Sequence, residues 1–336
     1  MRSASLSVRA LNEAVPQRTL LGGLALIALL AFLLSLAVGP TGALIDAAPG
    51  ARALIFTEIR LPRAVLGALV GAALGLSGAA LQGYLRNPLA EPSIIGVSGG
   101  AALGAVIAIH AGLAQAFALA LPLGGLAGAL LAMLAVIGLS GTRGGPVTLI
   151  LAGLAVSAFA TALISLALNL SANPFASVEM VFWMMGSLAD RSLTHVFLAA
   201  PLIGLGLWLL LRAARALDAL TLGEDAAQSL GVDLTRTRLL IVAGTALAVG
   251  AATAVTGVIG FVGLIVPHAL RPLAGHRPGL LLPASALGGA ALLLVADVAL
   301  RLAQPLLDLR IGVFTALLGA PFFVWLVLRL RRQLAP

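Results

Sequence analysis

The sequence predicts an all-α membrane protein whose single domain, residues 1–336, crosses the bilayer about ten times. Hydrophobic residues make up 61% of the chain and charged residues only 10%, with a mean hydropathy of +1.12. Soluble proteins carry about 25% charged residues. The apolar residues also lie in successive runs of about twenty, which is the length that a helix needs to span a bilayer.

Composition excludes several kinds of chemistry. The chain has no cysteine, so disulfides and thiolate metal sites are ruled out. All 20 basic residues are arginine, and the missing lysine rules out a Gly-x-x-x-x-Gly-Lys-Ser/Thr phosphate loop, a lysine Schiff base and a Ser-Lys dyad. If ATP drives this protein, another chain binds it. The net charge of +8 would suggest nucleic acid in a soluble domain, but these arginines lie between apolar runs, so no nucleic-acid partner is expected.

Five runs predict spans in the first half of the chain, with a polar N-terminal segment, residues 1–18, before them. A secretory signal peptide is the alternative for the first run, but that run exceeds the 7–15 residues of a signal core. The Gly/Pro-punctuated stretch 39–61 is predicted as a connection. The predicted spans are residues 19–38, 62–85, 93–109, 117–139 and 147–170.

The second predicted span carries glycines at four-residue spacing, Gly67, Gly71 and Gly75. Small residues repeated in this way let membrane helices approach closely, so tight helix packing is expected there. After this span, two prolines break the turn from Arg86 to Pro92.

The second half predicts five further crossings, at residues 192–211, 239–258, 260–271, 279–300 and 311–328. The run 260–271 is too short for an ordinary span and contains Pro267, so a short helix buried in protein is expected there. Before these crossings, residues 178–186 are expected to form a short interfacial helix with Trp183 at headgroup depth. A lining for a ligand cavity is the alternative.

The longest polar insertion runs from Arg212 to Arg238. Within it, residues 223–231 predict a short helix, because acids lie in its first turn and Gly231 can adopt a left-handed cap. A compact helix bounded by glycines can be presented to a soluble partner. An ordinary solvated loop is the alternative.

The arginines predict which side of the membrane each connection faces. With ten crossings, both termini share one side, and fourteen arginines share it with them against six on the other. Cytoplasmic connections are the arginine-rich ones, so both termini and the insertion are predicted to be cytoplasmic. The fourteen are Arg2, Arg9, Arg18, Arg86, Arg143, Arg212, Arg215, Arg236, Arg238, Arg271, Arg277, Arg329, Arg331 and Arg332; the six are Arg52, Arg60, Arg63, Arg191, Arg301 and Arg310.

Short motifs beyond residue 55 together resemble the FecCD-type permeases, the membrane subunits of ABC importers for ferric siderophores, haem and cobalamin. They follow one another in the family's order. They are Arg60-Leu61-Pro62-Arg63, Gly78 with Gln82, Asn87 to Pro92, Gly96 to Ala101, Trp183 to Gly186, Gly223-Glu224 with Ala227 and Leu230-Gly231, Gly260 to Leu264 with Pro267-His268 and Arg271, Ala296-Asp297 with Arg301, and Gly319 to Phe323.

The resemblance implies a type II ABC importer permease in the bacterial inner membrane. The expected partners are a second copy in a homodimer, two cytoplasmic ATPase subunits, a periplasmic substrate-binding protein and the lipid bilayer. ATP closure would move the coupling helices, and the path would switch sides by alternating access. The residues expected to couple to the ATPase are Leu222, Gly223, Glu224, Ala227, Leu230 and Gly231.

On the opposite face, the resemblance implies that Arg60, Arg63 and Arg301 receive acidic residues of the binding protein. Headgroup snorkelling is the alternative for the first two, and for Arg301 a pair with Asp297 four residues earlier. An acid inside a membrane span is costly and needs a partner, and by helix geometry Arg301 is the nearest candidate for Asp297.

The resemblance also implies that the turn with Asn87 and Leu89 closes the path on the cytoplasmic side. Two stretches depart from the family. Residues 144–147 lack the hydroxyls of a second gate loop, and residues 308–310 carry an arginine where a proline is usual.

The resulting expectation is a permease subunit with no catalysis and no cofactor of its own, moving a ferric siderophore or haem, with cobalamin as the alternative. The four histidines show no spacing for a metal site. A solitary ion-coupled secondary transporter is a more distant alternative, motivated by Asp297 and the missing ATP site. An integral membrane enzyme is the third, and it lacks a catalytic set.

Overall fold

The computed structural model describes residues 16–39, 42–43, 49–141, 144–303 and 309–334. The predictions for Arg2, Arg9, Arg143 and Asp308 fall outside these residues. In the first half the helices are α1 (Gln17–Ala37), α2 (Pro49–Leu54), a π-helix (Ile55–Arg60), α3 (Leu61–Tyr84), a 3-10 helix (Pro92–Ile95), α4 (Val97–His110), α5 (Leu113–Ala116), α6 (Ala120–Ser140) and α7 (Pro146–Asn169).

The second half holds the helices α8 (Pro174–Met184), α9 (Leu193–Arg212), α10 (Ala214–Leu220), α11 (Glu224–Ser229), α12 (Leu234–Thr256), α13 (Val262–Leu270), α14 (Pro278–Ala303) and α15 (Ile311–Leu334). In the described part, the strands are one antiparallel two-residue pair, β1 (Val38–Gly39) with β2 (Gly42–Ala43). The all-α prediction is confirmed.

Eight helices in the described residues are long and apolar enough to cross a membrane. The prediction also included the regions of the shorter helices α4, with 14 residues, and α13, with nine, so the predicted ten is an approximate count. Most predicted spans agree with the helices to within a few residues. The seventh starts at Leu234, five residues before its predicted start, because Asp233 caps the helix by accepting from the backbone N–H of Arg236 at 2.9 Å.

The predicted connection 39–61 is wrong in its second part, since the chain is helical from residue 49 onwards and one helical stretch covers Gly50–Tyr84. Pro62 lacks an N–H and would leave a gap in a regular helix. The π-helical turn just before it bonds with a longer step, as in the bond from Leu61 N–H to the Phe56 carbonyl. The helix therefore continues through the proline.

Glycines bring α3 and α14 into backbone contact, as their spacing predicts. A Cβ on Gly71 would collide with the Gly289 carbonyl, and one on Gly75 would collide with the Ser285 carbonyl. At these two positions no side chain fits between the helices, so the backbones are in van der Waals contact, whereas Gly67 faces the side chain of Leu294.

The short helix α8 begins at Pro174, before its predicted start, and its side chains point differently from the prediction. Trp183 is buried beside Met180 in the cluster that contains Ile109 and Ile164. Phe182, the residue before it, is exposed. The prediction of Trp183 as a headgroup anchor is therefore wrong, because packing under the helix buries its indole ring.

Contacts between the connections define two ends of the bundle. We call them the inner and the outer end, after the cytoplasmic and the opposite side that the sequence predicts. At the inner end, Arg86 meets Glu224, and the Asp218 carboxylate accepts from the N–H of Gly279 at 2.7 Å. At the outer end, the N–H of Ser187 donates to the Thr256 carbonyl at 2.7 Å. The predicted coupling and gate residues all lie at the inner end, and the three predicted docking arginines all lie at the outer end.

Candidate functional site

The insertion folds at the inner end into two short helices, α10 and α11. Helix α11 is bounded by Gly223 with φ +102° and Gly231 with φ +83°. Both values lie in the region that a side chain disfavours, so glycine is required at each end. The predicted helix, its acidic first turn and its left-handed cap are all present.

The six predicted coupling residues divide into an outward and an inward group. Leu222 and Leu230 are 68% and 66% exposed on either side of the helix, although both are large and apolar. Ala227 is fully buried between them and fixes the helix against the bundle. Two exposed apolar side chains flanking a helix whose other face is packed on the bundle can insert into a groove on a soluble protein.

The predicted gate turn is rigid. The Asn87 side-chain oxygen accepts from the N–H of Leu89 at 2.9 Å, and the N–H of Ala90 donates to the Asn87 carbonyl at 3.1 Å. Asn87 is exposed and Leu89 is half-buried. Gln82 on α3 donates to the Ala90 carbonyl at 3.3 Å, which attaches the turn to the preceding helix.

Glu91 connects this turn to the short helix α13. Its carboxylate accepts from the backbone N–H of Phe261, which has φ +66° and precedes the helix. Burial raises the pKa of the Glu91 carboxyl, and hydrogen bonds from Phe261 and Ser93 lower it in part. Glu91 has no individual role among the predictions from the sequence, although an acid between two prolines is a usable signal.

Arg238 holds the second loop of the inner end, the one that departs from the family at residues 144–147. Its guanidinium donates to the Gly144 carbonyl at 2.8 Å, to the Ser140 hydroxyl at 2.6 Å and to the Gly141 carbonyl. The side chain is buried, so the sequence prediction that used it only as a topology marker missed its contacts.

At the outer end, Arg60 and Arg301 bind the C-terminus of α1. Arg60 donates to the carbonyls of Leu36 and Ala37. Arg301 donates to the Ser35 carbonyl at 2.9 Å, to the Ser35 hydroxyl at 2.7 Å and to the Val38 carbonyl. The last carbonyls of a helix have no partner within the helix and carry partial negative charge, so two cations stabilise this end.

Asp297 lies between Arg63 and Arg301. The predicted pair four residues apart is present, with Arg301 Nε 3.0 Å from Asp297 Oδ2. Arg63 adds a second ion pair, with its Nη2 2.8 Å from Asp297 Oδ1 and its Nε 2.9 Å from the same oxygen. The carboxylate therefore pairs with two cations. The sequence predicted only Arg301, which lies four residues away in the chain.

The three predicted docking arginines thus lie together and contact their own chain. Arg60 and Arg301 are buried, and the Arg63 side chain is 18% exposed. Headgroup snorkelling does not describe Arg60 or Arg63, because both guanidinium groups bind protein. Arg63, Arg301 and Arg310 also line a recess of about 60 Å³ beside Asp297, which opens at the outer end.

Known proteins resemble this chain in sequence and in structure. The family model of the FecCD transport family matches residues 23–329. The vitamin B12 import system permease protein BtuC of Salmonella typhimurium is 42% identical over 316 residues, which cover 92% of this chain and 94% of the relative. The uncharacterized ABC transporter permease protein YvrB of Bacillus subtilis is 42% identical over 283 residues, covering 83% of this chain and 80% of the relative.

A solved structure described as an inward-facing conformation of a putative metal-chelate type ABC transporter superposes with a TM-score of 0.81. Its sequence identity is 33%, and the match covers 93% of this chain and 99% of the other. The motifs in their order, the bundle of apolar helices and these matches lead to one conclusion: this multi-pass membrane protein belongs to the FecCD transport family.

Proposed function

We propose that this chain is the permease subunit of an ATP-driven importer that moves a metal chelate into the cytoplasm. The observation that carries the proposal is at the inner end, where the exposed Leu222 and Leu230 flank α11 and Ala227 within it is buried. A transporter that works alone has no use for an apolar docking helix. ATP is hydrolysed in a separate ATPase chain, two copies of which seat the coupling helices of a permease homodimer.

Among metal chelates, cobalamin is the first candidate because 42% identical relatives are named vitamin B12 permeases. This order reverses the sequence-based one, which put a ferric siderophore or haem first. The solved relative described as metal-chelate type supports the wider class and keeps those two compounds in the test. Selectivity resides mainly in the binding protein that delivers the substrate.

The proposed orientation places the inner end in the cytoplasm of a bacterial inner membrane, with both termini there. The excess of arginines at that end supports it. Fusions of a periplasm-active phosphatase after Arg215 and after Gln115 check it. We expect activity only from the second fusion, and activity from the first alone would reverse the orientation.

Asn87 and Leu89 are proposed to close the path at the inner end, since they lie in a rigid turn close to the coupling helix. At the outer end, Arg63 is proposed to dock the binding protein, together with Arg60 and Arg301 behind it. Arg63 is the most accessible of the three, and the other two hold the helix end that supports it.

The decisive experiment is ATP hydrolysis and substrate uptake in liposomes that hold the permease, the ATPase encoded beside it and the loaded binding protein. Cobalamin, haem and a ferric siderophore are compared in turn. We expect Leu230→Glu to abolish both ATPase association and stimulated hydrolysis, because it places a charge where an apolar contact forms. Gln228→Glu is the control, since it adds the same charge to an exposed position two residues earlier, within α11.

Equal behaviour of the two variants would remove the coupling role from Leu230. If no ATPase associates, and uptake instead follows a proton gradient and depends on Asp297, the protein is a solitary transporter. The mass of the purified permease in native mass spectrometry tests the homodimer separately.

A further inference from the structure

We propose that the ion pair between Arg86 and Glu224 is a mechanical tether that transmits movement of the coupling helix to the gate turn. The inference rests on the proposed function. It assigns a positioning role to Arg86, which contacts neither substrate nor ATPase in this scheme. Three observations carry it: the backbone at Arg86, the ion pair itself, and the rigid turn that follows.

The backbone at Arg86 is in the left-handed region, with φ +49°. The preceding helix α3 ends there in a Schellman motif, because the N–H of Asn87 donates to the Gln82 carbonyl at 3.2 Å. Glycine is the usual residue at this position, since it adopts the conformation without steric cost. An arginine held in an unfavourable backbone conformation indicates that its side chain is needed.

The side chain reaches across to the coupling helix. Arg86 Nη2 lies 2.7 Å from Glu224 Oε1, and the two residues are 138 positions apart in the chain. Glu224 is the first residue of α11, directly after Gly223. The two side chains are 49% and 41% exposed, and exposed pairs add little to folding stability. Stability therefore gives no reason to keep an arginine in this conformation, whereas a link between two moving parts does.

The turn can pass on a displacement of Arg86. Asn87 braces Leu89 through its side-chain oxygen, and Glu91 reaches the N–H of Phe261 at the start of α13. Gln82 also bonds to Arg271 at the other end of α13. A movement of α11 that pulls Arg86 would thus shift the turn as a unit and reach α13. Allosteric coupling needs a contact that differs between two states, and this ion pair can supply it.

The test compares Arg86→Gly, Glu224→Gln and the charge-reversed double variant Arg86→Glu with Glu224→Arg. His276→Gly is the matched control, because His276 also has a left-handed backbone, with φ +59°, in an exposed connection of the same end. The readout is substrate taken up per ATP hydrolysed in the reconstituted system, together with the melting temperature of the isolated permease.

We expect Arg86→Gly to melt no lower than the wild type, since glycine relieves the backbone, but to transport about five-fold less substrate per ATP. His276→Gly keeps the wild-type ratio. The double variant recovers part of the loss, because the opposite charges again face each other. Unchanged ratios in both single variants, or a double variant no better than the singles, would overturn the tether.

A second measurement uses the permease alone. Hydrogen exchange of the Leu89 and Ala90 amides should be faster in Arg86→Gly than in the wild type, and equal rates would contradict a link to the turn. In the uptake assay, a wild type with no ATP-dependent uptake would contradict both the proposed function and the inference. Normal wild-type uptake together with unaffected variants would contradict the inference alone.

Discussion

Arg63 and Asp297 are 234 residues apart in the chain and form a two-point ion pair, with distances of 2.8 and 2.9 Å from Asp297 Oδ1 to the Nη2 and Nε atoms of Arg63. Because Arg301 approaches the other oxygen, one carboxylate holds two spans in register. Asp297 is buried, and its negative charge offsets the positive charges of Arg63 and Arg301.

Asp297→Ala is expected to destabilise the protein by about 3–5 kcal/mol, since it leaves Arg63 and the buried Arg301 without their counter-charge. Thermal unfolding in detergent measures the loss. Glu58→Ala, an exposed acid at the same end, should change stability by no more than about 0.5 kcal/mol. Similar melting of the two variants would show that the carboxylate is not needed.

Gly78→Ala is expected to destabilise the protein by about 1–3 kcal/mol, because the added methyl would overlap the Gly263 carbonyl where α3 meets α13. Gly83→Ala on the same helix is the control, since its nearest neighbour would be a leucine methyl at 3.5 Å. The difference in melting temperature between the two variants checks the prediction. A Gly78→Ala protein as stable as the control would refute backbone contact at this point.

Arg238→Met is expected to loosen the loop that follows α6, because the carbonyls of Gly141 and Gly144 lose their donor. Both carbonyls are only partly shielded from water, so the cost in stability should be small and the main effect should be local. Hydrogen exchange in residues 144–145 should rise, and Arg236→Met, in the exposed first turn of the same helix, should leave it unchanged. Protection that stays equal in both variants would contradict the role of Arg238.

Glu91 should make stability depend on pH. Burial raises the pKa of this carboxyl in the folded state above its unfolded value, so the folded protein binds the proton more tightly. Its contribution is therefore greatest below the ordinary glutamate pKa and is lost as pH rises through the raised value. We expect the melting temperature of Glu91→Gln relative to wild type to increase with pH over that window. A constant difference would contradict the raised pKa.

Much of the fold could be predicted because hydropathy and glycine spacing are local signals. The spans, the packing of Gly71 and Gly75, and the capped helix α11 all followed from neighbouring residues. The helical stretch 49–60 was missed because Pro62 predicts the start of a helix. In the structure a π-helical turn before the proline lets the helix continue through it. Trp183 was misplaced because the composition of a short helix does not tell which of its faces is covered.

The candidate sites were harder to predict where a contact joins distant parts of the chain. The Asp297 pair with Arg301 lies within one helical turn and could be predicted, whereas Arg63 has no local relation to Asp297. The same holds for Arg86 with Glu224 and for Glu91 with Phe261. Their partners become visible only when the helices are assembled.

The backbone contact between α3 and α14 limits how this bundle can move. Gly71 meets Gly289 and Gly75 meets Ser285 with no side chain between them. Rotation of either helix about its own axis would replace a glycine by a larger residue at the crossing and force the pair apart. We therefore expect the two helices to move as one rigid body, so that any rearrangement of the bundle would occur at surfaces lined by side chains.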